Sequence, residues 1–111
     1  MNNLEGKIAA QGKVEAKAFV TNNPTEIPPF KDYVLVTQNA DPSISPLLYN
    51  AKGVITEIGG LMSHLAVISR ELGIPCVTAC DNSYSTLKTG YLVRIHATEK
   101  LNSVIKIEYD N

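Results

Sequence analysis

Apolar and polar positions alternate in the opening third of the chain, then give way to short continuous apolar runs, and the two patterns predict different elements. Lys7 to Ala10 and Val14 to Val20 read as two short strands, the second with Val14, Ala16, Ala18 and Val20 on one face and Glu15, Lys17 and Phe19 on the other. Asn22-Asn23-Pro24 and Pro28-Pro29 end this alternation. Proline lacks an amide donor and keeps the preceding residue out of helical angles, so Thr21 to Phe30 is expected to be a surface connection. Tyr33 to Thr37 (Y-V-L-V-T) is a β-branched and aromatic run of the kind buried on both faces. Asp41-Pro42-Ser43 looks like a helix start, with Asp41 as the cap, and predicts a short helix over about 43–50 that ends at Asn50. Lys52 to Ile58 is a second buried strand, broken by Gly59-Gly60.

From Leu61 the period changes. At 100° per residue, Leu61, Leu65, Ile68 and Leu72 fall within about 60° of one another, which predicts a helix from Leu61. Gly73 should stop it as a left-handed cap, with Pro75 just beyond. Cys76 to Ala79 is a third parallel-type strand, and Tyr91 to Ile95 and Val104 to Tyr109 complete the set. The order β-β-β-α-β-α-β-β-β mixes crossover units with hairpin strands and predicts one α/β domain spanning 1–111, parallel in its central section and antiparallel at its edges.

Composition narrows the partners. Ten Lys and Arg against eleven Asp and Glu give a formal charge of −1, so no basic field favours nucleic acid or anionic lipid. No uncharged apolar run approaches the roughly 20 residues needed to span a bilayer, and Met1 to Gly6 does not resemble a leader. Neither a nucleic-acid partner nor a membrane is expected, and the cytoplasm is the expected location. Cys76 and Cys80 suit neither a C-x-x-C redox motif nor a zinc ribbon, and read as two buried, reduced thiols.

One segment carries chemistry. Thr56-Glu57-Ile58-Gly59-Gly60-Leu61-Met62-Ser63-His64 is the end of a strand, a glycine pair and the opening of a helix. Paired glycines permit positive φ and close approach of another molecule. A helix start presents unpaired N–H groups and the positive end of the dipole, which stabilise an anion such as a phosphoryl group. On the helical wheel His64 falls about 60° off the centre of the apolar stripe, at the border between core and solvent. Imidazole is a good phosphoryl acceptor near neutral pH because most of it is unprotonated. Ser63 and Thr56 offer hydroxyls to orient the ring or bind the phosphate. From the residues alone, a helix-start histidine packed at the core edge and an ordinary nucleotide phosphate site remain open, although neither G-x-x-x-x-G-K-[ST] nor G-x-G-x-x-G occurs.

The run Thr56-Glu57-x-Gly59-Gly60-x-x-Ser63-His64-x-Ala66-Val67-x-x-Arg70-Glu71-x-Gly73-x-Pro75 closely resembles the signature of the mobile, or swivelling, phosphohistidine domain of the phosphoenolpyruvate-utilising enzymes. That family includes phosphoenolpyruvate synthase, pyruvate phosphate dikinase, enzyme I of the sugar phosphotransferase system and the rifampicin phosphotransferases. Weaker resemblance covers most of the remaining chain. The resemblance implies a three-layer β/β/α swivelling domain of mixed parallel and antiparallel strands. By position, His64 matches the phosphorylated histidine, Gly59 and Gly60 its flexible loop, and Ser63 the hydroxyl or thiol residue before it. Met62 stands where several members have threonine, and His96 to Lys100 replace an Asp-Gly turn, so the last hairpin should be longer. Relatives with full activity also carry an ATP-grasp domain, a phosphoenolpyruvate/pyruvate-binding barrel, or both, and 111 residues hold neither. The implied partners are therefore such a domain or protein. No cofactor is expected on this domain alone, with Mg²⁺ and ATP or phosphoenolpyruvate belonging to the partner.

Several other residues read more plainly. Arg70 is six residues beyond His64, about 240° around the helix, and is expected to pair with a carboxylate or touch a docking partner instead of clamping the same phosphate. Glu71 lies two turns, roughly 10 Å, along the helix and reads as a solvated surface residue. Glu57 could orient the loop, although its charge would repel a phosphoryl group. His96 is expected in a turn, exposed, and a metal site from Cys76, Cys80, His64 and His96 has no support in their spacing. The function expected is a phosphohistidine carrier needing a partner for activity. The alternatives are the mobile domain or subunit of a larger phosphotransferase, and a non-catalytic interaction domain of the same fold.

Overall fold

The computed structural model describes residues 2–111; Met1, where the expected domain span begins, lies outside them. Seven strands are present: β1 (Asn2–Ala10), β2 (Gly12–Val20), β3 (Tyr33–Asn39), β4 (Gly53–Ile58), β5 (Cys76–Thr78), β6 (Leu92–Ala97) and β7 (Val104–Asp110). They close into a barrel in the order β1-β5-β4-β3-β2-β6-β7, and β7 pairs back onto β1. The neighbours β2/β3, β3/β4 and β4/β5 are parallel, and the other pairings are antiparallel. The parallel centre is as expected. The antiparallel strands are not edges, because the sheet closes on itself. β1 and β2, adjacent in sequence, also do not pair with each other: across Gln11 the chain leaves β5 and β7 for β3 and β6.

Period-two alternation divides the apolar side chains between two cores. Val34, Val36, Ile55, Val93 and Ile107 point into the barrel, while Phe19, Tyr33, Leu35 and Val54 point outward beneath the helices. The result is three layers, two from opposing walls of the barrel and one helical. The connections between parallel strands must cross over, and two of them supply the outer layer. One is a 3₁₀ helix at Pro42–Leu47, between β3 and β4. The other is α1 (His64–Leu72), between β4 and β5.

Both helices depart from the expected bounds for local reasons. Asp41 caps the first as anticipated, accepting from Ser43 N–H at 2.9 Å. The turn is 3₁₀ and ends at Leu47 instead of running to Asn50, because Pro46 inside it has no N–H to bond four residues back. α1 begins at His64 and not at Leu61, since Ser63 N–H donates to Gly60 O in a preceding turn and Ser63 becomes the cap. Leu61 is therefore off the helix, and the buried face is Leu65, Ala66 and Ser69, with Leu72 39% exposed. Full burial of Leu65 contributes roughly 1.5–3 kcal/mol to holding α1 on the sheet. Gly73 ends α1 with φ +74°, as expected of a left-handed cap. A short α2 (Ser83–Thr86) has too few residues for a periodic signal. β6 runs through Ala97, so His96 lies in a strand opposite Lys13 and not in a turn, with its side chain exposed as expected. The link to β7 is residues 98–103.

Candidate functional site

At the C-terminal end of β4 the chain leaves the sheet through Ile58, Gly59 and Gly60, turns over Leu61 and Met62, and enters α1 at His64. The two glycines have different roles. Gly59 has φ +151°, and a Cβ there would meet Ala40 Cβ and Thr56 Oγ1 at 3.3 Å and Ser63 Oγ at 3.6 Å. Gly60 has no such φ, and a Cβ on it would have nothing within 4 Å. Conformational need thus sits at Gly59, while Gly60 keeps the space above the loop open. The pair does not share the positive φ that the sequence suggested.

His64 is exposed, further out than the core border given by the wheel, because the later start of α1 shifts the buried face to Leu65 and Ala66. Ser63 Oγ accepts from Ala66 N–H at 3.4 Å, and Ser63 O takes Val67 N–H at 3.0 Å. Those bonds leave the amides of His64 and Leu65 opening the helix, at the end where the dipole favours negative charge. Thr56 is fully buried below the loop, and its Oγ1 has no hydrogen-bond partner among the described residues. It therefore cannot touch a phosphoryl group on the surface directly, as the sequence had allowed.

Arg70 is tied down by bonds that sequence spacing could not show. Its Nη1 donates to Ala9 O and its Nη2 to Leu61 O, both at 2.7 Å. Ala9 is available because β1 bulges there: Ile8 pairs with Val77 and Ala10 with Cys76, and Ala9 is skipped. Arg70 pairs with no carboxylate; it joins the site loop to β1 across α1. The three successive buried apolar residues Ile8, Ala9 and Ala10 break alternation and are the one sequence signal that could have revealed the bulge. Glu57 Oε1 accepts from Tyr84 N–H at 2.7 Å and so fastens the start of α2, where Asn82 makes no side-chain cap. Glu71 is exposed.

Cys76 and Cys80 are buried and unpaired with each other. Burial pushes the Cys76 thiol up to about 12 against the opposing pull of Ser69 and Arg70. Cys80 is likewise pushed up to about 12, chiefly by burial. Among the described residues, no three His, Cys, Asp or Glu side chains gather as a metal-holding set. A cleft of about 580 Å³ lies between Pro28–Tyr33 and Tyr49–Lys52, at the opposite end of the β3/β4 pair from His64, and contains none of the site residues. No helix is long and apolar enough to cross a membrane among the described residues.

Comparison with known proteins bears on this loop. Rifampicin phosphotransferase of Bacillus subtilis strain 168 is 40% identical over 96 residues, covering 86% of this chain and 11% of that protein. Phosphoenolpyruvate synthase of Pyrococcus furiosus is 36% identical over 99 residues, 88% of this chain and 12% of that one. The chain thus spans about a ninth of the length of these relatives. A solution structure of Enzyme I superposes with a TM-score of 0.58 at 29% identity, over 76% of this chain and 33% of that one. The family described as PEP-utilising enzyme, mobile domain, matches residues 29–100, a stretch that holds β3 to β6 and the whole site loop, and the chain belongs to that family.

Proposed function

We propose that this domain is a phosphohistidine carrier in which His64 accepts a phosphoryl group at one partner site and releases it at another. The observation that carries the reading is the placement of an exposed histidine as the first residue of α1, directly after a glycine loop left open at Gly60. The unprotonated ring nitrogen attacks phosphorus; a P–N bond forms as the donor's P–O bond breaks, and that bond's electron pair leaves with the donor. Delivery reverses the step onto an acceptor oxygen. Helix-start amides and Ser63 would hold the transferred group. Met62, 82% exposed, and Ile58, 59% exposed, give the loop an apolar rim for a donor cleft to close around.

Donor binding belongs to a partner. In-line positioning and charge neutralisation need basic side chains and Mg²⁺ with ATP or phosphoenolpyruvate, and an ATP-grasp domain or a phosphoenolpyruvate/pyruvate-binding barrel is the partner chemistry proposed. The cytoplasm, which holds those donors, is the proposed compartment. The small share of each relative that this chain covers favours a second reading, the mobile part of a larger phosphotransferase. A non-catalytic interaction domain would leave the exposed histidine and open glycine without a role.

The test is incubation with a nucleotide-binding or phosphoenolpyruvate-binding partner and its donor, read by intact mass and phosphorus NMR. An acid-labile adduct that His64→Ala abolishes and His96→Ala keeps is expected. Label retained in His64→Ala would remove His64 from the reaction.

A further inference from the structure

Thr56 is the one site residue with no role in the carrier reading as it stands: fully buried, its hydroxyl unpartnered. A polar group in that condition destabilises the state in which it is found, and a second state that gives it a partner gains by comparison. A Cβ placed on Gly59 would stand 3.3 Å from Thr56 Oγ1, 3.6 Å from Ser63 Oγ and 3.3 Å from the Ala40 methyl, so both hydroxyls lie close to the same glycine position. Ser63 Oγ meanwhile accepts only a long bond, 3.4 Å, from Ala66 N–H. A hydroxyl oxygen can accept two bonds and donate one.

A phosphoryl group on the adjacent His64 brings three acceptor oxygens and negative charge. Both terminal nitrogens of Arg70 already donate to carbonyls, so Ser63 is the side-chain donor next in sequence to the phosphorylated ring. With its proton directed at the phosphoryl oxygen, Ser63 Oγ still holds two lone pairs, one for Ala66 N–H and one for a second donor. We infer that Thr56 is a positioning residue for the phosphorylated state, its hydroxyl donating to Ser63 Oγ while Ser63 donates to the phosphoryl group on His64. The chain of two hydroxyls polarises in one direction, each bond strengthening the next. Glycine at position 59 leaves this space free: a Cβ there would crowd both oxygens, at 3.3 Å from Thr56 Oγ1 and 3.6 Å from Ser63 Oγ.

This inference rests on His64 being the phosphoryl acceptor, and its test separates the two. Wild type, Thr56→Val and Thr56→Ser are phosphorylated chemically with potassium phosphoramidate, and each is unfolded in urea with and without the phosphoryl group. Valine keeps the shape and removes the hydroxyl, so the unphosphorylated Thr56→Val protein should be as stable as wild type or more so. The gain in stability on phosphorylation should be smaller in Thr56→Val than in wild type, by about three- to tenfold in the unfolding constant, and Thr56→Ser should restore it. A merely structural threonine would shift both forms alike, and equal gains in wild type and Thr56→Val overturn the inference while leaving the carrier reading in place. A wild-type protein whose His64 takes no phosphoryl group overturns both.

Discussion

Arg70 Nη2 donates to the carbonyl oxygen of Leu61 at 2.7 Å, nine residues back along the chain. Through its other terminal nitrogen the same guanidinium reaches the bulged Ala9, so the loop before His64 is fixed to a strand 61 residues distant from Arg70 in sequence. Hydrogen bonds from a charged donor are worth more than neutral ones and leave a carbonyl unsatisfied when cut.

Arg70→Ala should therefore lower stability by about 2 kcal/mol in urea unfolding. With a matching partner it should also slow phosphoryl transfer, by up to about 100-fold, because the histidine is held less well in line. Arg70→Lys offers one point donor in place of a fork and should recover only part of either loss. Unchanged transfer in a folded Arg70→Ala protein would mean that the loop does not need this tie.

The glycines predict opposite outcomes. Gly59→Ala places a methyl against Ala40 and Thr56 at a φ of +151° and should destabilise the fold by about 1–3 kcal/mol. Gly60→Ala should leave stability unchanged. Gly60→Val should fold normally and, on the carrier reading, lose transfer, its branched side chain filling space that is open at this position. Normal transfer in Gly60→Val would remove that open space from the mechanism.

Mixed alone with Mg²⁺ and either ATP or phosphoenolpyruvate, the chain should take up no phosphoryl group, since the run from Thr56 to His64 holds no Lys or Arg to bind and neutralise a donor's phosphates. Adding a nucleotide-binding or phosphoenolpyruvate-binding partner should give rapid labelling. Stoichiometric labelling of the chain on its own, followed by mass, would reveal a donor site in the domain itself.

Both thiols lie above their ordinary range when folded, so their contribution to stability is complete below the unfolded thiol value and falls away as pH rises toward about 12. Urea midpoints should accordingly decline above about pH 9, and less steeply in the Cys76→Ala/Cys80→Ala double variant. At pH 8 neither thiol should react with iodoacetamide in the native protein. Cutting the Arg70 tie should quicken alkylation of Cys76, which lies beside Ser69 and Arg70, more than that of Cys80 inside the barrel.

Where a feature depends on neighbours in sequence, the sequence displayed it. Asp41 before Pro42, Gly73 after Leu72 and the two-sided burial of Tyr33 to Thr37 are local choices, and all appear as read. The family signature around His64 is likewise a contiguous run. Pairing is another matter: nothing near Gln11 says that β1 turns toward β5 and β7 while β2 turns toward β3 and β6. Arg70 belongs to the same class, because its partners are carbonyls, which carry no residue identity for a spacing argument to find. Helical periodicity placed the start of α1 at Leu61 because an apolar residue fits the stripe whether or not its backbone is helical. The Ser63 cap, a single hydroxyl, outweighed it.

Closure of the barrel bears on how such a body could travel. An open sheet carries a row of unpaired amides and carbonyls along its first and last strands, ready to zip onto any exposed strand it meets. A ring has no first or last strand. On the carrier reading proposed above, contact with each partner would be limited to side chains and loop tips, which part without unthreading any backbone ladder. The carrier would then meet its partners without offering a strand edge for them to extend.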